Sequence, residues 1–291
     1  MTSNSRKIAL TGASGQLGQR VIDSLLAKVP ASQLIATART PEKIQPLAEK
    51  GIEIRQADYE RPETLASAFA GVDALLLISA SEIGKRAAQH EAVIEAAKAA
   101  GVKLLVYTSL LHADSSPLSL AEEHRQSEAA IKASGIPYVI LRNGWYIENH
   151  LASLPVALQH GAFLGSAGEG RISGATRDDL AEAAAVILTS ETDHTGRTYE
   201  LAGDEAYTLA ELAAEVARQS GKAIAYQDMP ESAYKDVLLG AGLPEPVAQM
   251  IASSDTFASQ GALYDDSHDL SKLIGRPTAS LKDAVAQALK A

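Results

Sequence analysis

The sequence predicts a doubly wound parallel α/β sheet with a smaller C-terminal α/β lobe. Three observations predict it. Six short, apolar, β-branched runs alternate with helical stretches through the first half of the chain. A turn with regularly spaced glycines joins the first run to the first helical stretch. The 291 residues can bury a sizeable core without any cysteine to staple it.

The six runs are 7–12, 33–39, 52–58, 73–81, 103–110 and 137–144. They are near-continuously apolar rather than alternating, as a parallel sheet covered on both faces requires. In the first helical stretch Leu17, Val21, Leu25 and Val29 recur every four residues, a stripe that faces the sheet. Thr40 and Pro41 read as the cap and first position of the second helix, and Gly101 as the end of the fourth. Beyond Tyr146 the pattern loosens. GAFLGSAGEGRIS reads as a glycine-rich loop, 198–203 and 223–229 as two further strands, and the remainder as helices, with LGAGLPEP between two of them.

Composition narrows the function. A formal charge of -10, from 36 acidic and 26 basic residues without a Lys/Arg block, disfavours nucleic acid as a partner. Without cysteine there is neither a thiolate nucleophile nor a thiolate metal site, and the histidines and acids show no metal-ligand spacing, so no metal is expected. G-x-S-x-G, the hydrolase elbow, is absent. MTSNSRK carries no apolar export signal and no run reaches membrane-span length, which reads as a soluble, cytoplasmic protein.

The glycine turn supplies the first chemistry. Gly12, Gly15 and Gly18 leave a strand and open a helix, with Ala13, Ser14, Gln16 and Leu17 completing the turn. In a dinucleotide site the first glycine permits the tight turn, the second admits the pyrophosphate to the backbone, and the third lets helix and strand pack closely. The helix amides and dipole then face the phosphates, as in a Rossmann fold. About 20 residues on, an NAD site carries an acid for the ribose 2′-hydroxyl. Here the strand ends in Ala38-Arg39, which suits a 2′-phosphate, so NADPH is the expected cofactor. A solvated arginine at a strand end is the alternative, and Lys43 either adds charge or decorates the surface. Residues 1–202 read as the NADP-binding domain and 203–291 as a smaller substrate lobe with a soft boundary.

TGASGQLG, Arg39, Asp58 at the end of the third strand and LRNGWYIEN after the sixth resemble the atypical short-chain dehydrogenases of the NmrA-like group. ISASEIGKRAAQH, YTSLLHADSSPL, LRNGWY and LSKLIGRPT extend the resemblance through nearly the whole chain, toward the bacterial NADPH-dependent quinone oxidoreductases of that group. The resemblance implies that Asp58 sits by the adenine, and that Ser79, Ala80 and Ser81 line the middle of the cofactor. A strand-end turn is the other role open to Asp58. Thr108 and Ser109 end the fifth strand, where this superfamily usually keeps a serine that polarises a carbonyl; a helix-cap or turn serine is the other reading.

The superfamily's Tyr-x-x-x-Lys pair is missing, since none of the 9 tyrosines has a lysine four residues later. On the corresponding helix AEEHRQSE offers His124 and Glu128 at that spacing, which reads as a surface pair. Ketone reduction needs a strong proton donor. Hydride addition to a quinone gives a delocalised hydroquinone anion that solvent can protonate, so quinone reduction stays open. Asn143, Gly144, Trp145 and Tyr146 follow strand six, where nicotinamide is expected; Asn143, Trp145 and Tyr146 are the positioning candidates, and a flat quinone can stack on either ring. Core packing is the other reading of Trp145. His112 reads as a turn residue that can reach a quinone oxygen, and Arg177 as a helix start capped by Asp178 or Asp179.

Two functions follow: two-electron reduction of quinones by NADPH, or a redox sensor of the NmrA type that binds NADP(H) and a regulatory protein without turnover. An isoflavone-reductase-like enzyme falls behind because its lysine is not matched. A homodimer fits either reading.

Overall fold

A computed structural model describes residues 6–290, so most of the opening stretch MTSNSRK lies outside it. The chain forms two compact units. The first takes the chain up to Leu110, then Glu122–Arg142 and Leu180–Tyr199; the second takes Leu111–Ala121, Asn143–Asp179 and the chain from Glu200 onward.

The central sheet comprises β1 (Ile8–Leu10), β2 (Leu34–Ala38), β3 (Glu53–Gln56), β4 (Ala74–Leu77), β5 (Leu104–Leu110), β6 (Tyr138–Asn143) and β8 (Thr198–Leu201). Its order is β3-β2-β1-β4-β5-β6-β8 and it is parallel. The chain therefore winds outward from β1 in both directions, and the switch point lies between β1 and β4, where open α/β sheets bind ligands. β1, β2 and β4 are buried along their whole length, whereas β3 is the exposed edge and carries Glu53 and Arg55, which pair at 2.8 Å. Leu65, Phe69, Leu75, Val93, Tyr107 and Ile140 belong to one buried cluster of this unit.

The helix Gln16–Leu26 buries Leu17, Val21 and Leu25 as predicted; Val29 lies past its end and is half-buried. Arg86–Ala99 ends as expected, with Gly101 at φ +72° and its N–H on the Lys98 carbonyl. The stretch after β2 departs from the expectation. Instead of a capped helix it forms a 3-10 turn, Pro41–Ile44, then a short helix, Pro46–Glu49, and the Thr40 side chain caps nothing. Pro46 so close behind Pro41 explains the break, because its ring cannot continue the turn it enters.

In the second unit Leu154, Phe163, Leu209, Leu212, Val216 and Leu270 are buried. β7 (Ala162–Gly165) pairs in parallel with β9 (Ala225–Asp228) as a separate two-stranded sheet. β7 falls inside the stretch read as a loop. Gly165 misleads there: it pairs with Asp228 as part of a strand, and it is glycine because an added Cβ would stand 2.8 Å from Asp255 Oδ2 and 2.9 Å from Leu209 Cδ1. Helix Leu209–Ser220 opens with a complete capping box between Thr208 and Glu211.

Candidate active site

The first unit presents the turn between β1 and its helix. Gly12 adopts φ +63°, which only glycine takes without strain. Gly15 N–H closes the turn on the Gly12 carbonyl at 2.9 Å, and Ala13 N–H anchors it to Thr37 of β2 at 3.1 Å. A Cβ on Gly18 would press on the Gly12 carbonyl oxygen and stand 2.9 Å from Ala13 Cα, so the helix lies directly on the turn. Ser14, Gly15 and Gln16 are exposed, while Ala13 and Leu17 are buried beneath them. No side chain caps this helix, and its first turn holds no acid. That cradle fits a pyrophosphate: free amides at a positive helix end, with no side chain in the way.

Arg39 is exposed past the end of β2, with Nη1 3.2 Å from Glu82 Oε1. Lys85 reaches the same carboxylate at 3.4 Å and Glu60 at 2.7 Å. Lys43 is exposed. Asp58 makes the strand-end turn, accepting from Glu60 N–H at 3.1 Å.

The loop after β4 is fastened by Thr108 and by three side chains that sequence reasoning did not assign, Thr11, Arg86 and His90. Ile78 N–H donates to Thr11 Oγ1 at 3.0 Å, Ser79 N–H to Thr108 Oγ1 at 2.9 Å, and Ala80 N–H to His90 Nε2 at 2.9 Å. Arg86 Nε donates to the Ala80 carbonyl at 2.8 Å. His90 must accept at Nε2, so its Nδ1–H donates to Ser127, which donates to the Glu123 carbonyl. Burial first, then the His124 and Arg86 charges, push its pKa down to about 3, so it stays the neutral acceptor. Ser81 follows, exposed. The only sequence signal for Arg86 and His90 was their four-residue spacing on one helix face.

His124 and Glu128 are not the surface pair that the sequence suggested, since both are buried. His124 Nδ1 lies 2.7 Å from the Tyr107 hydroxyl, and burial, with Arg86 nearby, lowers its pKa to about 3. Glu128 accepts from Arg142 Nε and Nη2 at 2.9 and 2.8 Å and from Ser109 Oγ at 2.6 Å. The correction has a simple cause: β5 and β6 deliver Tyr107, Ser109 and Arg142, polar residues hidden in apolar strands, and this helix must satisfy them.

In the second unit Gly144 N–H donates to the Leu201 carbonyl, and Ala175 N–H donates to the Trp145 carbonyl at 3.0 Å. Trp145 is nine-tenths buried, its ring centroid 6.1 Å from that of His150. Tyr146 lies under the Arg177 guanidinium, whose carbon is 4.3 Å from the ring centroid. Burial raises the Tyr146 pKa, against a hydrogen bond from Asn143. Arg177 also meets Glu148 at 3.4 Å and Asn149 at 2.8 Å. Its helix is capped by Thr176, not by an aspartate: Thr176 Oγ1 accepts from Asp179 N–H at 3.1 Å, and Asp179 is held by Arg276 at 2.7 Å. His112 is a turn residue as expected, at φ +51°, its N–H on Glu200 and its Nε2 3.1 Å from Asp265. Among the buried polar atoms without a hydrogen-bond partner among the described residues are Asn143 Oδ1, Trp145 Nε1 and His150 Nε2. Among the described residues no cluster is placed to hold a metal, and no helix is long and apolar enough to cross a membrane.

Sheet order, glycine cradle and the exposed arginine past β2 define a dinucleotide-binding protein of the Rossmann class. The chain belongs to the NAD(P)H-binding family, whose model matches residues 12–191, and stands with the quinone oxidoreductases of the NmrA-like group as the sequence motifs implied. It is 57% identical over 278 residues to Quinone oxidoreductase 2 of Escherichia coli (strain K12), covering 96% of this chain and 97% of that protein. The crystal structure of an Escherichia coli NADPH-dependent quinone oxidoreductase complexed with NADPH superposes with a TM-score of 0.94 at 56% identity, over 97% of this chain and 99% of that one. The triphenylmethane reductase of Citrobacter sp. superposes with a TM-score of 0.93 at 42% identity, over 98% and 100%.

Proposed function

We propose that the protein reduces quinones to hydroquinones by direct two-electron transfer from NADPH. The observation that carries this reading is the fate of the two residues that replace the tyrosine and lysine pair. His124 and Glu128 are both committed to buried structural bonds, so the helix that holds the usual acid offers none. The chemistry best suited to that arrangement leaves a delocalised anion that water can protonate, and near full-length similarity to a quinone oxidoreductase points the same way.

NADPH, when bound, supplies a hydride. In this proposal the turn Gly12, Ala13, Ser14, Gly15, Gln16, Leu17 and Gly18 holds the pyrophosphate, Asp58 the adenine side, and the clamped peptides of Ser79, Ala80 and Ser81 the middle of the cofactor. Arg39 leaves Glu82 for the 2′-phosphate, an exchange that costs little because an exposed ion pair contributes about 0–1 kcal/mol. Asn143, Gly144, Trp145 and Tyr146 position the ring of the quinone, so catalysis is chiefly orientation. A homodimer in the cytoplasm completes the proposal, and size-exclusion chromatography tests the dimer.

The decisive experiment mixes purified protein with NADPH and 1,4-benzoquinone and follows nicotinamide absorbance, with NADH and a ketone as controls. Oxidation with the quinone alone, faster with NADPH, is expected; NADPH binding without turnover of any acceptor would favour the sensor. Arg39→Glu should raise KM for NADPH at least tenfold and leave KM for NADH nearly unchanged, as expected from losing a charge-assisted bond. Equal effects on both cofactors would remove Arg39 from the site.

A further inference from the structure

We infer that His150 donates a hydrogen bond from Nε2 to a carbonyl oxygen of the quinone, and that Tyr207 sets the tautomer that makes it a donor. This inference rests on the quinone-reductase reading above and names the group that meets the charge that reaction creates.

Among the described residues, the Tyr207 hydroxyl has one hydrogen-bond partner, His150 Nδ1 at 3.1 Å. Tyr207 is 3% exposed and firmly seated. Its backbone bridges Ile172, and an added Cβ on Gly174 would stand 2.9 Å from its ring carbon Cε1. A buried phenol with a single partner satisfies its O–H first, because a stranded donor costs more than an unused lone pair. Tyr207 therefore donates, Nδ1 accepts, and the ring proton sits on Nε2. Burial lowers the His150 pKa to about 4 and raises that of Tyr207, so both stay neutral and the pair keeps this polarity.

The consequence is a buried N–H that no described residue accepts. Among the described residues, neither His150 Nε2 nor its ring neighbour Trp145 Nε1 has a hydrogen-bond partner. Two neutral donors out of water are an unusual expense inside a folded chain, and each asks for an acceptor without asking for an acid. A quinone meets that demand. Its carbonyl oxygens accept hydrogen bonds before reduction, and hydride arrival at the ring places negative charge on the oxygens. Preorganised N–H groups stabilise that charge more strongly than the neutral carbonyl, which lowers the barrier. This answers the missing tyrosine and lysine pair: the site needs a polarising donor, and solvent supplies the proton afterwards.

The test compares wild type with His150→Leu, His150→Gln and Tyr207→Phe. kcat/KM is measured for a series of benzoquinones of graded electron demand at saturating NADPH, and NADPH Kd by nicotinamide fluorescence. His150→Leu and Tyr207→Phe should each lose roughly 10- to 100-fold in kcat/KM, with NADPH Kd within twofold, and the loss should grow toward electron-rich quinones. His150→Gln, which keeps a side-chain N–H, should recover most of the rate. Tyr207→Phe preserves packing, so it reports even if His150→Leu folds poorly. Wild-type rates in Tyr207→Phe, or equal losses across the series, would overturn the inference while leaving quinone reduction intact. A wild-type enzyme that turns over no quinone would overturn both.

Discussion

Replacing Arg142 by leucine strands the Glu128 carboxylate inside the first unit. The two side chains are only 8% and 4% exposed, and leucine removes both guanidinium bonds to the carboxylate, at 2.9 and 2.8 Å. Ser109 at 2.6 Å and Lys132 at 3.6 Å remain. Removing one member of a buried pair costs about 3–5 kcal/mol, because the remaining charge loses its partner but not its desolvation. Replacing both members by apolar residues is often nearly neutral. Arg142→Leu should therefore lose about 3–5 kcal/mol in urea unfolding, and Arg142→Leu with Glu128→Leu should regain most of it. The pH dependence follows from the same contacts. Burial pushes the Glu128 carboxyl up, but bonds from Arg142 and Ser109 outweigh it and hold the folded value below the ordinary one. Its contribution is thus fully present above the unfolded pKa of about 4.3 and is lost as pH falls through the lower folded value. In Arg142→Leu acid unfolding should begin at higher pH. A single variant within about 1 kcal/mol of wild type, or a double variant no more stable than the single, would refute this reasoning.

Two further outcomes follow from the structure. Gly18→Ala should weaken NADPH binding more than tenfold and destabilise by about 1–3 kcal/mol, since its Cβ would meet backbone that cannot yield; an unchanged Kd by nicotinamide fluorescence would place the phosphates elsewhere. Asp255 is buried in the second unit, where desolvation first and then Asp228 lift its pKa to about 7 against a bond from Ser166 N–H. The folded state thus holds this proton more tightly than the unfolded chain, and stability falls as pH rises from about 4 to 7. Asp255→Asn should flatten that slope and outlast wild type in a melt at pH 8; a variant that melts lower at pH 8 than wild type would contradict it.

The sheet was legible because its signals are local: apolar runs of strand length, and glycines whose spacing has one structural use. The cradle came through for the same reason. What stayed hidden depends on pairs far apart in sequence. Glu128 reads as a surface acid until β6 brings Arg142 to it, and His90 reads as helix filler until it receives the Ala80 amide. His150 gave no signal at all, because its partner lies 57 residues on. β7 was lost to composition, since a strand of four residues ending in glycine carries too little pattern to compete with the glycines around it.

The interleaving of the two units also sets an order of events during synthesis. His112 turns the chain in a backbone conformation that favours glycine, and the Glu200 carboxylate that receives its N–H emerges 88 residues later. At about 5–20 residues per second that is a wait of roughly 4–18 seconds on the ribosome. The His112 turn is therefore made long before the carboxylate that receives its N–H. Neither unit can be cut out as one uninterrupted length of polypeptide, and a transplant of either would have to carry three separate pieces of chain.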